Sequence, residues 1–149
     1  MKNQNTIFIA IACALAFALA PVTQAAPTPE AYAPVITIHS AGNVLRGKTG
    51  SFVLHGYPWY WYSQAHVNFK VSGTAIPGVD YVALVSPAYI GHSGYGVILL
   101  KTLPDPRGAS DTTAYSVEVT LEPGPGYTVG EPSSAKILIS TSCALEACW

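Results

Sequence analysis

Beyond residue 34 the chain is a series of short apolar runs separated by glycine, proline and polar turn residues. The segment 66–71 places Val67, Phe69 and Val71 on one face and polar residues on the other, and the segment 115–121 alternates in the same way. Alternation at every second position is typical of a β-strand with one buried face. No segment after residue 34 keeps a helical period for three turns, so the pattern favours an all-β domain.

The alternating and apolar runs predict strands at 35–38, 51–57, 66–71, 81–90, 95–102, 115–121 and 135–139. Pro87 interrupts the fourth of these, because proline cannot donate to a strand ladder. The run 95–102 is almost continuously apolar, which is typical of a strand buried on both faces. Short strands with Gly/Pro turns predict an antiparallel β-sandwich of the immunoglobulin-like kind with about seven strands. We find no internal repeat, so a single module is expected.

The N-terminal segment has the pattern of a secretory signal. Lys2 precedes an apolar run from Ile7 to Ala20, and small residues follow, so cleavage is expected after Ala25. A retained N-terminal anchor is the alternative, although Pro21 ends the run before the ~20 apolar residues of a membrane span. The predicted organisation is a signal peptide at 1–25, a proline-rich linker at 26–34, a sandwich at 35–141 and a cysteine-containing tail at 142–149.

After signal cleavage two cysteines remain, Cys143 and Cys148. An oxidising compartment favours a disulfide between them, closing a small ring in the tail. An inter-chain disulfide is the alternative, and the sequence predicts a monomer or a weak dimer.

Charge gives little guidance to a partner. Charged residues make up 10% of the chain and the formal net charge is −1. Such a balance provides no electrostatic argument for binding nucleic acid or an anionic membrane. The expected partner is therefore a protein or a glycan, with no nucleic acid and no stable membrane span after cleavage. We expect a periplasmic or extracellular location.

Three stretches resemble the Calx-beta domain family: VNFKVSGTAIPGVDYVAL, YIGHSGYGVILL and VEVTLEPGPGYTVGEPSSAKILI. The most recognisable pieces are 72–75 and Gly78-Val79-Asp80-Tyr81, and the turn ending at Gly130 is similar to the family's penultimate turn. The resemblance covers 67–139 and implies an antiparallel sandwich without catalytic activity. Gly78 would let the chain bend before Asp80, and the turn 123–126 would let Tyr127 pack back against it.

Many Calx-beta modules bind calcium through clustered carboxylates at one end of the sandwich, and Ca²⁺ is the cofactor that the resemblance implies. Asp80 and Asp105 match ligand positions of the family, and Asp111 is the acidic residue of the following segment. Arg46 stands near an expected glutamate, and Ser140-Thr141-Ser142 replace expected aspartates. Because calcium needs six to eight oxygen ligands, we expect a degenerate site in which Asp80 caps a turn and pairs with Arg46.

Other chemistry is poorly supported. Residues 91–95 resemble a nucleophile elbow, but the motif requires glycine where Tyr95 stands and a following helix. The four histidines show no zinc-ligand spacing. We therefore predict that the protein is not an enzyme.

The segment GYPWYWYSQAH contains four consecutive aromatic residues, at positions 59–62: Trp59, Tyr60, Trp61 and Tyr62. Exposed aromatic platforms bind sugar faces or protein partners, and the alternative is that these rings cover the open end of the sandwich. Three functions result: an exported structural or adhesion-type module with a degenerate calcium site, a calcium-binding adhesion domain, or a small carbohydrate-binding protein that uses this loop.

Overall fold

A computed structural model describes residues 33–59, 64–104 and 113–141, and this part of the chain contains ten β-strands and no helix. The strands are β1 (Val35–Ser40), β2 (Val44–Leu45), β3 (Thr49–Tyr57), β4 (Ala65–Val67), β5 (Phe69–Ser72), β6 (Ala88–Ile90), β7 (Tyr95–Lys101), β8 (Tyr115–Leu121), β9 (Thr128–Val129) and β10 (Ser134–Ser140). No helix in those ranges is long and apolar enough to cross a membrane.

Two four-stranded sheets form the layers of the sandwich. The first has the order β7-β3-β1-β9 and the second the order β2-β10-β8-β5. The β-sandwich predicted from the alternating pattern is therefore confirmed. The sheets are mixed rather than antiparallel throughout, because β1 pairs with β9 and β10 pairs with β2 in parallel. These pairs join very short strands to the sheet edges, which sequence periodicity does not detect.

The core lies between the two sheets and is built from the alternate residues that point inward. Ile36 and Ile38 of β1, Phe52 and Leu54 of β3, and Val117 and Val119 of β8 are all fully buried. Burying one such side chain contributes about 1.5–3 kcal/mol relative to leaving it in water. The inward positions of β10, Ile137 and Ile139, close the same cluster from the second sheet.

The predicted strand 66–71 is two strands that pair with different partners. β4 pairs with β6 in a separate two-stranded ribbon, and β5 pairs with β8 in the second sheet. The predicted faces are nevertheless right, since Val67 and Phe69 are buried while His66 and Lys70 are exposed. Of the predicted strand 81–90, only Ala88–Ile90 is extended and paired as a strand.

The strand β7 differs from its prediction in a way that matters for function. Gly96, Ile98 and Leu100 are buried, whereas Tyr95, Val97 and Leu99 are 55%, 54% and 63% exposed. The expectation of burial on both faces is therefore wrong: β7 lies at the edge of its sheet, with one apolar face open to solvent.

The turn after β8 is held by one tyrosine. The Tyr127 hydroxyl donates to the Glu122 carbonyl at 2.7 Å and accepts from the Asn68 N–H at 2.9 Å. Gly124 lies so close to the ring that a Cβ there would stand 2.6 Å from the hydroxyl. Tyr127 thus packs back on the turn as the sequence predicted, and it ties the turn to the β4–β5 junction.

Candidate functional site

A tight turn before β6 positions Asp80 at one end of the sandwich. Gly78 has φ +81°, which lets the chain reverse there at no steric cost. The Asp80 N–H donates to the Ile76 carbonyl at 2.8 Å, and the Ile76 N–H donates to Asp80 Oδ2 at 2.7 Å. Asp80 therefore caps the turn from both its backbone and its side chain.

Arg46, in the turn between β2 and β3, supplies the charge that neutralises this carboxylate. Its Nη2 lies 2.9 Å from Asp80 Oδ1, and the two side chains are 5% and 0% exposed. The guanidinium carbon also lies 5.2 Å from the centre of the Tyr115 ring, within cation–π range. The pair links the β2–β3 turn, the Asp80 turn and the start of β8.

Tyr81 borders the same site, and its pKa is altered by its surroundings there. Its side chain is buried, and its backbone bridges to Thr102 at the end of β7. Burial raises the pKa of the Tyr81 phenol above its ordinary value, and the negative charge of Asp80 raises it further. Both effects act in the same direction because each disfavours the phenolate.

The described residues at this end do not fit calcium. Asp80 contributes a single carboxylate, one oxygen bonded to a guanidinium and the other to a backbone N–H. Across 33–59, 64–104 and 113–141 no group of three His, Cys, Asp or Glu side chains could hold a metal ion. Asp105 and Asp111, the other predicted ligands, lie outside the described residues. The cation beside Asp80 in this structure is the chain's own arginine.

The aromatic loop is described at its first residue, Trp59, while Tyr60, Trp61 and Tyr62 lie outside the described residues. Trp59 is partly buried and packs against the core. A Cβ on Gly94 would stand 2.8 Å from its Cγ, so the indole lies directly on the backbone of the β6–β7 turn. A partly buried ring in this position covers the end of the first sheet.

Exposed aromatic groups lie on β3 and β7, next in sequence to the two glycines that Trp59 packs on. Tyr57 is 72% exposed, and Tyr95 stacks on His55 with ring centres 4.7 Å apart. On the small ribbon the Tyr89 hydroxyl donates to Gln64 Oε1 at 2.9 Å. The sequence singled out the loop but not these neighbours, because His55 and Tyr95 come together only through the pairing of β3 with β7.

Three further features are candidates for a site: the Ser93 segment, a pocket beside β3 and the two C-terminal cysteines. Residues 91–94 form the turn between β6 and β7, so the Ser93 segment connects two strands and is not a strand-to-helix elbow. A shallow pocket of about 300 Å³ lies beside the start of β3, lined by small residues of 41–43 and 49–51, with no charged side chain among them. Cys143 and Cys148 lie outside the described residues.

No protein-family model matches the sequence, and no curated protein matches it. Solved structures do share its fold. One of them, the crystal structure of CBD12 from CALX1.2, superposes with a TM-score of 0.54 at 14% identity, covering 70% of this chain. The match spans 43% of that structure, so this chain corresponds to less than half of it. At such identity the likeness shows the fold alone, a β-sandwich.

Proposed function

We propose that this protein is an exported, non-catalytic interaction module of structural or adhesion type that works without calcium. The observation that carries the proposal is the buried ion pair between Arg46 and Asp80. In many modules of the Calx-beta family, which this sequence resembles, calcium binds at one end of the sandwich. Here an arginine ties together the turns at the site of Asp80 and needs no metal to do so.

Two further features support a binding role. The Asp80 carboxylate is fully buried and serves as a hydrogen-bond acceptor within the fold, which is a structural role. The exposed apolar and aromatic groups cluster instead on the outer face of the first sheet, where Tyr57, Tyr95 and Leu99 are more than half exposed. Rigid sandwiches often bind partners through such surfaces.

A thermal melt in millimolar calcium and again with chelator tests the proposal. A ligand present at about 100 times its Kd adds about 2.7 kcal/mol, a shift of several degrees for a domain of this size. We expect the same midpoint in both conditions. A calcium-dependent rise that disappears in Asp80→Asn would contradict the proposal and favour the calcium-binding alternative. N-terminal sequencing of the protein from the exported fraction tests cleavage after Ala25.

Carbohydrate binding is a second candidate, favoured by the exposed Tyr57 ring on the outer face of the first sheet. Flat exposed rings with polar neighbours are suited to stacking on sugar faces. Glycan-array screening of the protein tests this function, with Tyr57→Ala as the variant. Tyr57 is preferable to Trp59 because it is 72% exposed, and its truncation leaves the core contacts intact. Binding that is lost in Tyr57→Ala and in Trp61→Ala would establish it; a screen without glycan binding would reject it.

A further inference from the structure

The edge strand β7 has an outward row of backbone groups. In an antiparallel pair, each residue directs its N–H and C=O either both towards the partner strand or both away. Gly94 and Thr102 hydrogen-bond towards β3, through Gly56 and Lys48 at 2.9 and 3.0 Å. Even-numbered positions of β7 therefore face β3, and the backbone groups of odd-numbered positions face outward.

Both ends of this outward row are capped by the protein itself. The Ser93 hydroxyl lies 3.3 Å from the Tyr95 N–H nitrogen and 3.5 Å from the Tyr95 carbonyl oxygen. At the other end the Lys101 carbonyl accepts from the Val82 N–H at 2.9 Å. Between the caps, Val97 and Leu99 make no outward backbone hydrogen bond with any described residue.

The outward backbone groups of Val97 and Leu99 do not pair with the segment that follows Val82, because this segment turns away from β7. After Val82 the chain turns from β7 to the other side of the sandwich, where Ser86 Oγ accepts from the Phe69 N–H at 3.0 Å. Ala88 then pairs with Val67 of β4. Pro87 has no N–H to donate, which suits a segment that has left a ladder. The result is a stretch of the β7 edge, at Val97 and Leu99, that no described residue pairs with, and we call this stretch the gap.

The side chains around this gap are apolar, with one basic group at its end. Val97 and Leu99 are 54% and 63% exposed. Lys101 is exposed and makes no ion pair with a described residue. The described acidic residues lie elsewhere: Asp80 is buried, Glu118 and Glu122 lie on or after β8, and Glu131 follows β9 at the far edge of the sheet.

We propose that β7 binds an extended peptide segment of another protein by strand addition. The segment carries apolar residues at two alternate positions, opposite Val97 and Leu99, and an acidic residue that reaches Lys101. Four hydrogen bonds would form, using the N–H and C=O groups of Val97 and Leu99 that no described residue pairs with. Main-chain bonds of this kind provide affinity, and the alternate side chains provide specificity. The carboxylate fixes the direction of the segment by charge complementarity with Lys101.

The size of the gap favours a peptide over a second copy of this chain. Three residues of an extended strand span about 10 Å. The opening between the two caps accepts roughly that length. In a symmetric pair of β7 strands, Tyr95 of one copy would lie opposite Lys101 of the other, and Val82 already occupies that edge. A flexible segment meets no such obstacle. The inference is independent of calcium and of the aromatic loop.

The test is a titration of the ¹⁵N-labelled protein with the capped peptide acetyl-Glu-Ser-Val-Thr-Val-amide, followed by NMR. Its two valines can pair with Leu99 and Val97 in antiparallel register. The glutamate lies beyond the paired positions, where the peptide backbone bends away from Val82, and only its side chain reaches Lys101. We expect saturable downfield shifts of the Val97 and Leu99 amides and slower hydrogen exchange at both. The same peptide with N-methyl groups on both valines lacks the two donors and should bind at least tenfold more weakly.

Protein variants distinguish peptide binding at the β7 edge from non-specific binding to an apolar surface. Lys101→Glu should weaken the peptide several-fold, and a peptide with lysine in place of glutamate should recover that loss. Ile76→Glu, at an exposed apolar residue in the Asp80 turn, is the matched control and should bind normally. The proposal is overturned if the Val97 and Leu99 amides do not shift, if the N-methylated peptide binds equally well, or if the shifts follow protein concentration instead of peptide.

Discussion

At the scale of single residues, the decisive contact is the one between Arg46 and Asp80. A buried carboxylate is costly unless it is paired and its oxygens accept hydrogen bonds. Here one oxygen takes the guanidinium and the other takes the Ile76 N–H. Because Tyr115 lies against the same guanidinium, the pair joins three separate parts of the chain.

Replacing Arg46 should therefore lower the free energy of unfolding far more than replacing a cation on the surface. In Arg46→Met the Asp80 charge is left buried without its partner, and we expect a loss of about 3–5 kcal/mol in the free energy of unfolding. Urea denaturation measures it. The control is Lys136→Met, whose ion pair with Glu118 is 3.8 Å long and exposed, and whose loss should be within about 1 kcal/mol. Equal losses in the two variants would refute the structural role of the buried pair.

Tyr81 should make stability fall at high pH. Its pKa is raised in the folded protein by burial and by Asp80, so the folded state keeps its proton at pH values where the unfolded chain releases it. The stabilising contribution is thus complete below the unfolded pKa of about 10 and is lost as pH rises through the folded value. Unfolding measured from pH 8 to 11 should show a steeper decline in wild type than in Tyr81→Phe. Parallel curves would exclude Tyr81 as the source.

The sequence predicted part of this site and could not predict the rest. The order Gly78-Val79-Asp80-Tyr81 contains a flexible residue before a short polar one, which is turn chemistry and is local. The pairing with Arg46 was also expected. The Tyr115 contact was not, because it depends on how β8 packs against the β2–β3 turn.

At the scale of elements, β7 shows where a sequence pattern misleads. Valine and leucine at the exposed positions 97 and 99 conceal the alternation of buried and open faces, so the run 95–101 has the composition of a central strand. What makes β7 an edge strand is that residues 83–87 leave it and pass towards the second sheet, where Ser86 contacts Phe69 of β5. That departure depends on long-range pairing and leaves only Pro87 as a local sign.

Two glycines in similar turns allow the packing of Trp59 to be measured. Gly94 and Gly47 have φ of +76° and +75°, so an alanine at either position meets the same backbone penalty of about 1–2 kcal/mol. A Cβ on Gly94 would also stand 2.8 Å from the Trp59 ring, whereas nothing lies within 4 Å at Gly47. We expect Gly94→Ala to be less stable than Gly47→Ala by a further ~1–3 kcal/mol.

Urea denaturation and tryptophan fluorescence measure the difference between these variants. A red-shifted emission in Gly94→Ala would show that the indole has been displaced towards water. Equal stability of the two variants, with unchanged emission, would mean that Trp59 does not rest on the β6–β7 turn in solution and is free to contact a ligand.

At the scale of the whole molecule, the sandwich consists of two parts of unequal strength. The long strands β1, β3, β8 and β10 provide most of the fully buried core, to which Val67 and Ile90 of the β4–β6 ribbon also belong. The ribbon of β4 and β6 has three paired positions and belongs to neither sheet. A two-stranded ribbon is marginal by itself and relies on what it packs against. The aromatic loop and the β6–β7 turn are both attached to this weaker part.

Hydrogen exchange should therefore divide the chain into two groups. Amides of Val117, Val119 and Ile137 lie in paired strands of the buried core and should exchange only through global unfolding. Paired amides of Ala65 to Val67 should exchange through local opening, several kcal/mol below the global value. Added urea at sub-denaturing concentration should speed exchange in the first group and leave the second almost unchanged, because local opening exposes little surface. If the ribbon responded to urea as strongly as β8, the sandwich would open as one unit, and the ribbon would be as stable as the core it packs against.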